Sequence, residues 1–244
     1  MEAPSDCGHV GRTPPDVVAI DGLSGAGKSS VARAIAGRLG WSYLDTGACY
    51  RALTVAALEA GLLEPGDEQP PTGGLEALAV ATLPTLQMSL DPCAASVRLA
   101  AVDVTGRIRD DATTRTVSAV SADAGLRRQA VAWQRAMVQR TEGCVVEGRD
   151  IGTVVLPRAP LKVWLVADAD ARAGRRAAQD RVSDRRAVRA GLDRRDLIDG
   201  ARAVAPAVPA TDAVVIDTTT LGIEQVVDRV VELAAQRGLV RASA

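Results

Sequence analysis

The sequence predicts an α/β chain: a parallel sheet covered by helices on both faces, interrupted by an inserted α+β block. Three observations predict it. Short apolar runs of the buried parallel-strand kind stand at both ends of the chain, at Val17–Asp21, Cys144–Glu147, Leu161–Ala167 and Val214–Asp217. Segments with helical spacing alternate with them. Residues 85–140 read differently, as strands followed by helices.

Taken in order, Val17–Asp21 is a strand and Lys28–Leu39 a helix, joined by a glycine-rich turn. Trp41–Leu44 is a short strand. Ala48–Ala60 is a helix with Tyr50, Leu53, Ala57 and Leu58 near one face. Gly61–Gly74 carries three prolines and four glycines and is a loop. Leu75–Ala81 is a short helix. Thr85–Leu90 and Ser96–Ala101 alternate as strands around the turn signal Asp91-Pro92, and Asp103–Ile108 adds a third strand or an edge. Ala112–Asp123 and Leu126–Arg140 are helical. Asp168–Ala190 is a long arginine-rich helical stretch with a break near Val182-Ser183, and Ile223–Arg237 closes the chain as a helix.

Composition excludes several classes. The 244 residues are 47% hydrophobic and 24% charged, which suits a globular chain. A net charge of −1 leaves no bulk field to draw nucleic acid or a membrane surface, so neither is an expected partner. Lys28 and Lys162 are the only lysines; every other basic residue is arginine, and the chain has no Phe and no Asn. A biased genome explains that skew, but a lysine kept inside a glycine-rich turn is hard to assign to composition. Cys7, Cys49, Cys93 and Cys144 lack C-x-x-C spacing, and the single histidine is His9, so no zinc site and no Ser-His or Cys-His catalysis is built here. Residues 1–16 lack a signal-peptide h-region and read as a mobile tail. No apolar run reaches bilayer-spanning length, and the cytoplasm is the expected compartment.

Gly22-Leu-Ser-Gly-Ala-Gly27-Lys28-Ser29 fits G-x-x-x-x-G-K-[ST] at every position, between a strand and a helix. Glycines let backbone N–H groups turn inward around a polyphosphate, Lys28 reaches the β- and γ-phosphates, and the Ser29 hydroxyl ligates Mg²⁺. Asp21 ends the strand before it, placed to contact the loop or a metal-bound water. Asp45–Arg51 puts a hydroxyl, a phenol and a guanidinium at a helix start, where a second phosphate would be attracted. Glu147-Gly-Arg149-Asp150-Ile-Gly-Thr153 follows a buried strand directly, and ligands of parallel sheets sit at strand carboxyl ends. Arg195 and Asp199 stand at i,i+4, and Asp199 and Arg202 at i,i+3. The run Arg172, Arg175, Arg176, Arg181, Arg185, Arg186 reads either as a solvated face or as a lid closing over a triphosphate.

Together these segments resemble the bacterial cytidylate kinases, the long type of nucleoside monophosphate kinase. The resemblance is carried by Ile20–Ser29, Tyr43–Arg51, Val104–Arg109, Val145–Val155, Arg202–Pro206 and Ala213–Thr218, in the family's order, from about Val17 to about Glu232. It implies a P-loop kinase core over residues 17–84 and 142–244, a monophosphate-binding insertion over 85–141, and a short helical lid within about 172–190. It implies that ATP, with Mg²⁺, lies on Gly22, Ser24, Gly25, Ala26, Gly27, Lys28, Ser29 and Ser30. CMP or dCMP is the implied acceptor: Ser118, Arg127 and Asp150 fall on the base-reading positions, and Arg51, Arg149 and Arg202 on the acceptor phosphate. Arg195 and Asp199 fall on the ribose, with Thr46 and Tyr50 at the same site. Lys28, Arg149 and Arg176 are the expected catalytic groups. A monomer is expected.

The chain departs from the family at Leu197-Ile198, where charged residues are usual, and at Gly200, which costs roughly 1 kcal/mol against Ala inside a helix. Two other readings use the same loop. A GTP-dependent switch reads guanine through N-K-x-D, which a chain without Asn cannot contain, although Asp103–Gly106 fits D-x-x-G. A related adenylate, shikimate or dephospho-coenzyme A kinase is disfavoured by the insertion and by Glu147–Thr153.

Overall fold

Val17, Val18, Ala19 and Ile20 form a run that alternates between two faces yet is apolar on both, so the strand they build must be covered on both sides. The computed structural model describes residues 15–180 and 183–240 and bears this out. Strand β1 (Asp16–Gly22) is central in a five-stranded parallel sheet with β2 (Ser42–Asp45), β6 (Gly143–Glu147), β7 (Leu161–Val166) and β8 (Val214–Asp217), in the order β2-β6-β1-β7-β8. Val18 and Ile20 enter one cluster with Ile35, Leu161, Leu165, Val227 and Val230. Val17 and Ala19 enter the opposite one with Leu44, Val146 and Ile151. Ile20 is fully buried, and truncating it to Ala would cost about 2–5 kcal/mol.

Register places the site. Ile20 lies beside Glu147 in β6, and Asp45 of β2 beside the same Glu147, so the carboxyl ends of three adjacent strands finish together. The chain leaves β1 toward β2 and later returns to its other side through β7. That order reversal opens a crevice above the strand ends, where open α/β sheets bind ligands.

Helix α1 (Lys28–Leu39) leaves the glycine-rich turn with Val31, Ala32, Ile35 and Ala36 inward. Its N-cap, Gly27, sits at φ +93, and Gly22 at φ +151 has its missing Cβ only 2.3 Å from the Leu165 carbonyl oxygen. Any side chain at either position would be strained or would strike β7. Helix α2 (Thr46–Glu59) starts on the Asp45 carboxylate, which accepts from the Ala48 N–H at 2.9 Å.

The inserted block contains α3 (Leu75–Thr82), the antiparallel strands β3 (Leu86–Met88), β4 (Val97–Leu99) and β5 (Val102–Asp103), then α4 (Asp111–Ala122) and α5 (Ala124–Val138). Asp110 and Asp123 cap the two longer helices. Their hydrophobic cluster runs from Ala48 to Ala130 and takes in α2, so the boundary drawn at residue 85 from sequence falls inside it. The segment 103–108 contributes little strand: β5 ends at Asp103 and a 3₁₀ turn, Arg107–Arg109, follows.

The long arginine-rich stretch is two helices, α6 (Ala169–Asp180) and α7 (Arg185–Gly200). Asp184 starts the second by accepting from the N–H groups of Arg186 and Ala187 at 3.0 Å each. Arg181 and Val182, beside the expected break, lie outside the described residues, as do residues 1–14 of the expected tail with Cys7 and His9. Helix α8 (Ile223–Gln236) closes the chain against α1. Among the described residues no helix is long and apolar enough to cross a membrane.

Candidate active site

One cleft lies above the strand ends. Its walls come from the phosphate loop, the start of α2, helices α4 and α5, the loop after β6, and helices α6 and α7. Of the residues singled out from sequence, Ser24, Gly25, Lys28, Ser29, Thr46, Tyr50, Arg51, Arg127, Arg149, Asp150, Arg176, Arg195, Asp199 and Arg202 line it. Ser118 is buried behind the wall, its hydroxyl 3.5 Å from Asp199 Oδ1, while its neighbours Val117 and Ser121 face the cleft. Gly22, Ala26, Gly27 and Ser30 do not line the cleft: Gly22 ends β1, Ala26 is buried, Gly27 caps α1 and Ser30 is exposed in the first turn of α1.

At the loop, Lys28 Nζ donates to the Leu23 carbonyl at 2.8 Å. Burial and the nearby Arg149 charge pull the Lys28 pKa down to about 7. The Ser29 hydroxyl donates to Glu147 Oε2 at 2.9 Å, and the Tyr43 hydroxyl donates to Glu147 Oε1. Burial raises the Glu147 pKa to about 7, with the Asp45 charge adding to it. Sequence reasoning assigned Glu147 no role. Its signal was present: a carboxylate ending an otherwise apolar strand has to face something polar at the carboxyl edge.

Asp21 accepts backbone N–H groups on both carboxylate oxygens, Oδ1 from Ile151 at 2.8 Å and Oδ2 from Gly152 at 2.7 Å, so it braces the loop after β6. That brace accompanies a turn of π-helix, Ile151–Val155. Burial pushes its pKa up to about 6 despite those two bonds.

Arg149 and Asp150 are adjacent in sequence and point to different ends of the cleft. Arg149 donates to Asp196 Oδ1 at 2.9 Å and to the Ser24 hydroxyl, and lies 3.1 Å from Asp199 Oδ2. Asp150 is buried and pairs with Arg127, which also donates to the Ser121 carbonyl at 3.0 Å. The Arg127 guanidinium stacks 5.2 Å over the Tyr50 ring, and the buried Tyr50 hydroxyl finds no hydrogen-bond partner. A polar pair, an aromatic face and an orphaned phenol at one end of a cleft suit a flat, polar-edged ring.

Between these ends the cleft is cationic. Arg51 is buried, donating to the Ile108 carbonyl and the Thr114 hydroxyl at 2.8 Å each, and burial with the Arg109 charge lowers its pKa to about 10. Burial and Arg149 lower Arg195 to about 9, and burial also lowers Arg202. Buried guanidinium groups that also face one another's like charge favour an anion between them. Asp199 answers part of that charge, pairing with Arg149, Arg195 and Arg202. Thr46 donates its hydroxyl to the Glu147 carbonyl at 2.7 Å and holds α2 against β6.

The arginines of the expected lid divide. Arg172 is buried and donates to the Ser24 carbonyl at 2.9 Å and to Asp196. Arg175 donates to Thr218 Oγ1 at 2.9 Å and to the Thr218 carbonyl. Arg176 lines the cleft. Arg185 and Arg186 are exposed at the start of α7.

A family model described as cytidylate kinase matches residues 18–236. A cytidylate kinase of Nocardia farcinica is 47% identical over 229 residues, covering 91% of this chain and 95% of that relative. One of Rhodococcus jostii is 46% identical over 227 residues, with the same two coverages. One of Streptomyces griseus is 45% identical over 219 residues, covering 89% and 91%. The match takes in the phosphate loop, the arginine cluster and the Arg127–Asp150 pair alike, and the chain therefore belongs to the cytidylate kinase family.

Proposed function

We propose that the protein transfers the γ-phosphoryl group of ATP to CMP or dCMP, giving ADP and CDP or dCDP. The observation that carries this reading is the Arg127–Asp150 pair, buried at the end of a cleft whose other end is the phosphate loop. Cytosine presents an N4 amino donor to a carboxylate, and its ring carbonyl and N3 to a guanidinium. On this reading Arg51, Arg149 and Arg202 hold the acceptor phosphate, Arg195 and Asp199 take the ribose, and Arg176 with Lys28 faces the triphosphate.

The acceptor oxygen belongs to a phosphate that is already anionic near neutral pH, so no strong general base is required. The residues then act by positioning two anions together and neutralising their repulsion. A half-buried lysine whose pKa is pulled down to about 7 regains its full charge beside a polyphosphate, which adds electrostatic attraction where it is needed. The Ser29 hydroxyl beside the Glu147 carboxylate fits Mg²⁺, which takes oxygen ligands and is bound through one or two carboxylates plus substrate phosphates. We assign Ser29 as its ligand and Glu147 as the carboxylate at its edge; the ion supplies charge neutralisation for the transferred group.

A monomer acting in the cytoplasm is the expected state of such a kinase. Coupled ADP release tests the reading. CMP and dCMP are expected to sustain turnover in the presence of Mg²⁺, and an enzyme that turns over shikimate or AMP but not CMP would refute it. Light scattering of the purified chain tests the monomer.

A further inference from the structure

Ser24 has three polar atoms, and three residues from three other parts of the fold engage them. Its N–H donates to Asp196 Oδ1 at 2.9 Å, its carbonyl accepts from Arg172 at 2.9 Å, and its hydroxyl accepts from Arg149. Asp196 is the hub. Besides Ser24 it takes Arg149 Nη1 at 2.9 Å and pairs with Arg172. One turn further along α7, Asp199 Oδ2 lies 3.1 Å from Arg149 Nη2. Both terminal nitrogens of the Arg149 fork are thereby addressed from α7, one per carboxylate, while the phosphate loop is tied to the first of them.

Three of these side chains are largely buried, at 10% exposure for Asp196, 13% for Arg149 and 7% for Arg172. Burial opposes ionisation of Asp196, yet the Ser24 N–H and the two guanidinium groups hold its carboxyl below the usual range. A planar guanidinium gripped at both ends has its remaining donors aimed in a fixed direction. Arg149 would otherwise be pushed about by Lys28 and Arg195, whose like charges face it.

We propose that Asp196 is a positioning residue for phosphoryl transfer: it registers the Arg149 fork against the phosphate loop so that donor and acceptor phosphates meet one fixed guanidinium. The inference rests on the kinase reading above. It differs from a purely structural role because its effect on turnover passes through Arg149, while its bonds to Ser24 and Arg172 fix the carboxylate in place.

A double-mutant cycle on kcat distinguishes the two. Asp196→Asn keeps the shape and an acceptor for Ser24 but loses the charge that holds the fork. It is expected to lower kcat about 10- to 100-fold, as a misplacement of order 1 Å does, while KM for ATP stays within about threefold. In an Arg149→Ala background the same change should cost less than about threefold, since the group being positioned is gone. Equal fold-losses in both backgrounds, or an unchanged kcat in folded Asp196→Asn, would overturn the inference. If Asp196→Asn does not fold, Asp196→Glu carries the same cycle: it keeps the charge but displaces the carboxylate by one methylene from Arg149 Nη1, and its loss of kcat should likewise vanish without Arg149, whereas a loss that persists there overturns the inference. A wild-type chain that releases no ADP with CMP would refute the kinase reading, and the inference with it; an active wild type with a multiplicative cycle would refute the inference alone.

Discussion

Replacing Asp150 by Asn tests the base-reading end of the cleft. Asp150 is 4% exposed and Arg127 3%, so the pair is shielded and each depends on the other. Removing a buried partner outright would cost about 3–5 kcal/mol. Asn still offers Arg127 a carbonyl oxygen, and Arg127 keeps its bond to the Ser121 carbonyl at 3.0 Å and its place over Tyr50. The stability loss should therefore be about 1–3 kcal/mol, the worth of a charge-assisted bond, or about 2–12 °C in Tm for a chain of this size. The effect on selectivity is separate. A carboxylate accepts from the N4 amino group of cytosine and repels the O4 carbonyl of uracil, whereas an amide can turn a donor toward O4. Such a mismatch is worth about 1–3 kcal/mol, so kcat/KM for CMP should fall and the CMP:UMP ratio should narrow by about ten- to a hundredfold. Steady-state ADP release with each acceptor, beside a thermal melt, reads both effects. An unchanged CMP:UMP ratio in the folded variant would refute Asp150 as the base reader.

Other expectations follow from the same geometry. Lys28→Ala should lower kcat by about 10²–10³-fold with little loss in Tm, because it removes a desolvated cation whose bond is to the Leu23 carbonyl; near-wild-type turnover would overturn the loop's role. Arg176→Ala should impair turnover with ATP while calorimetry without ATP shows CMP affinity unchanged; an equal loss of CMP affinity would contradict a donor-side role. Asp21 titrates near 3.8 when unfolded and is raised to about 6 by burial, so the folded chain holds its proton more tightly between those values. Its contribution is full below about pH 4 and lost, by about 3 kcal/mol, as pH rises through about 6. The Tm advantage of wild type over Asp21→Asn should therefore shrink between pH 4 and pH 7, and a growing advantage would reverse the sign.

Much of this fold was legible because its strands are buried on both faces and read as continuous apolar runs, as at Val145-Val146 and Leu161–Val166. The phosphate loop was legible because its chemistry lies in eight consecutive residues. What escaped was nonlocal. Ser29 meets Glu147 across 118 positions and Ser24 meets Asp196 across 172, and no local pattern announces either pairing. The π-helical turn at Ile151–Val155 was missed for the same reason, since the carboxylate on its first N–H groups sits 130 residues earlier. The two-helix nature of 169–200 was half visible: Ser183-Asp184 is a helix-start signal, but the arginines around it continue the helical pattern. Arg172 and Arg175 look alike with Arg176 in sequence; only packing shows that the first two are taken up by Ser24, Asp196 and Thr218.

The central claim is that one cleft chooses cytosine and passes a phosphoryl group to its monophosphate. The most direct test supplies γ-labelled ATP, Mg²⁺ and an equimolar mixture of CMP, dCMP, UMP, AMP and GMP, and follows the label at early times. The account predicts label in CDP and dCDP at least about tenfold above every other diphosphate, the lower end of the discrimination a buried polar mismatch gives. Label spread evenly among the acceptors, or concentrated in ADP or UDP, would contradict it.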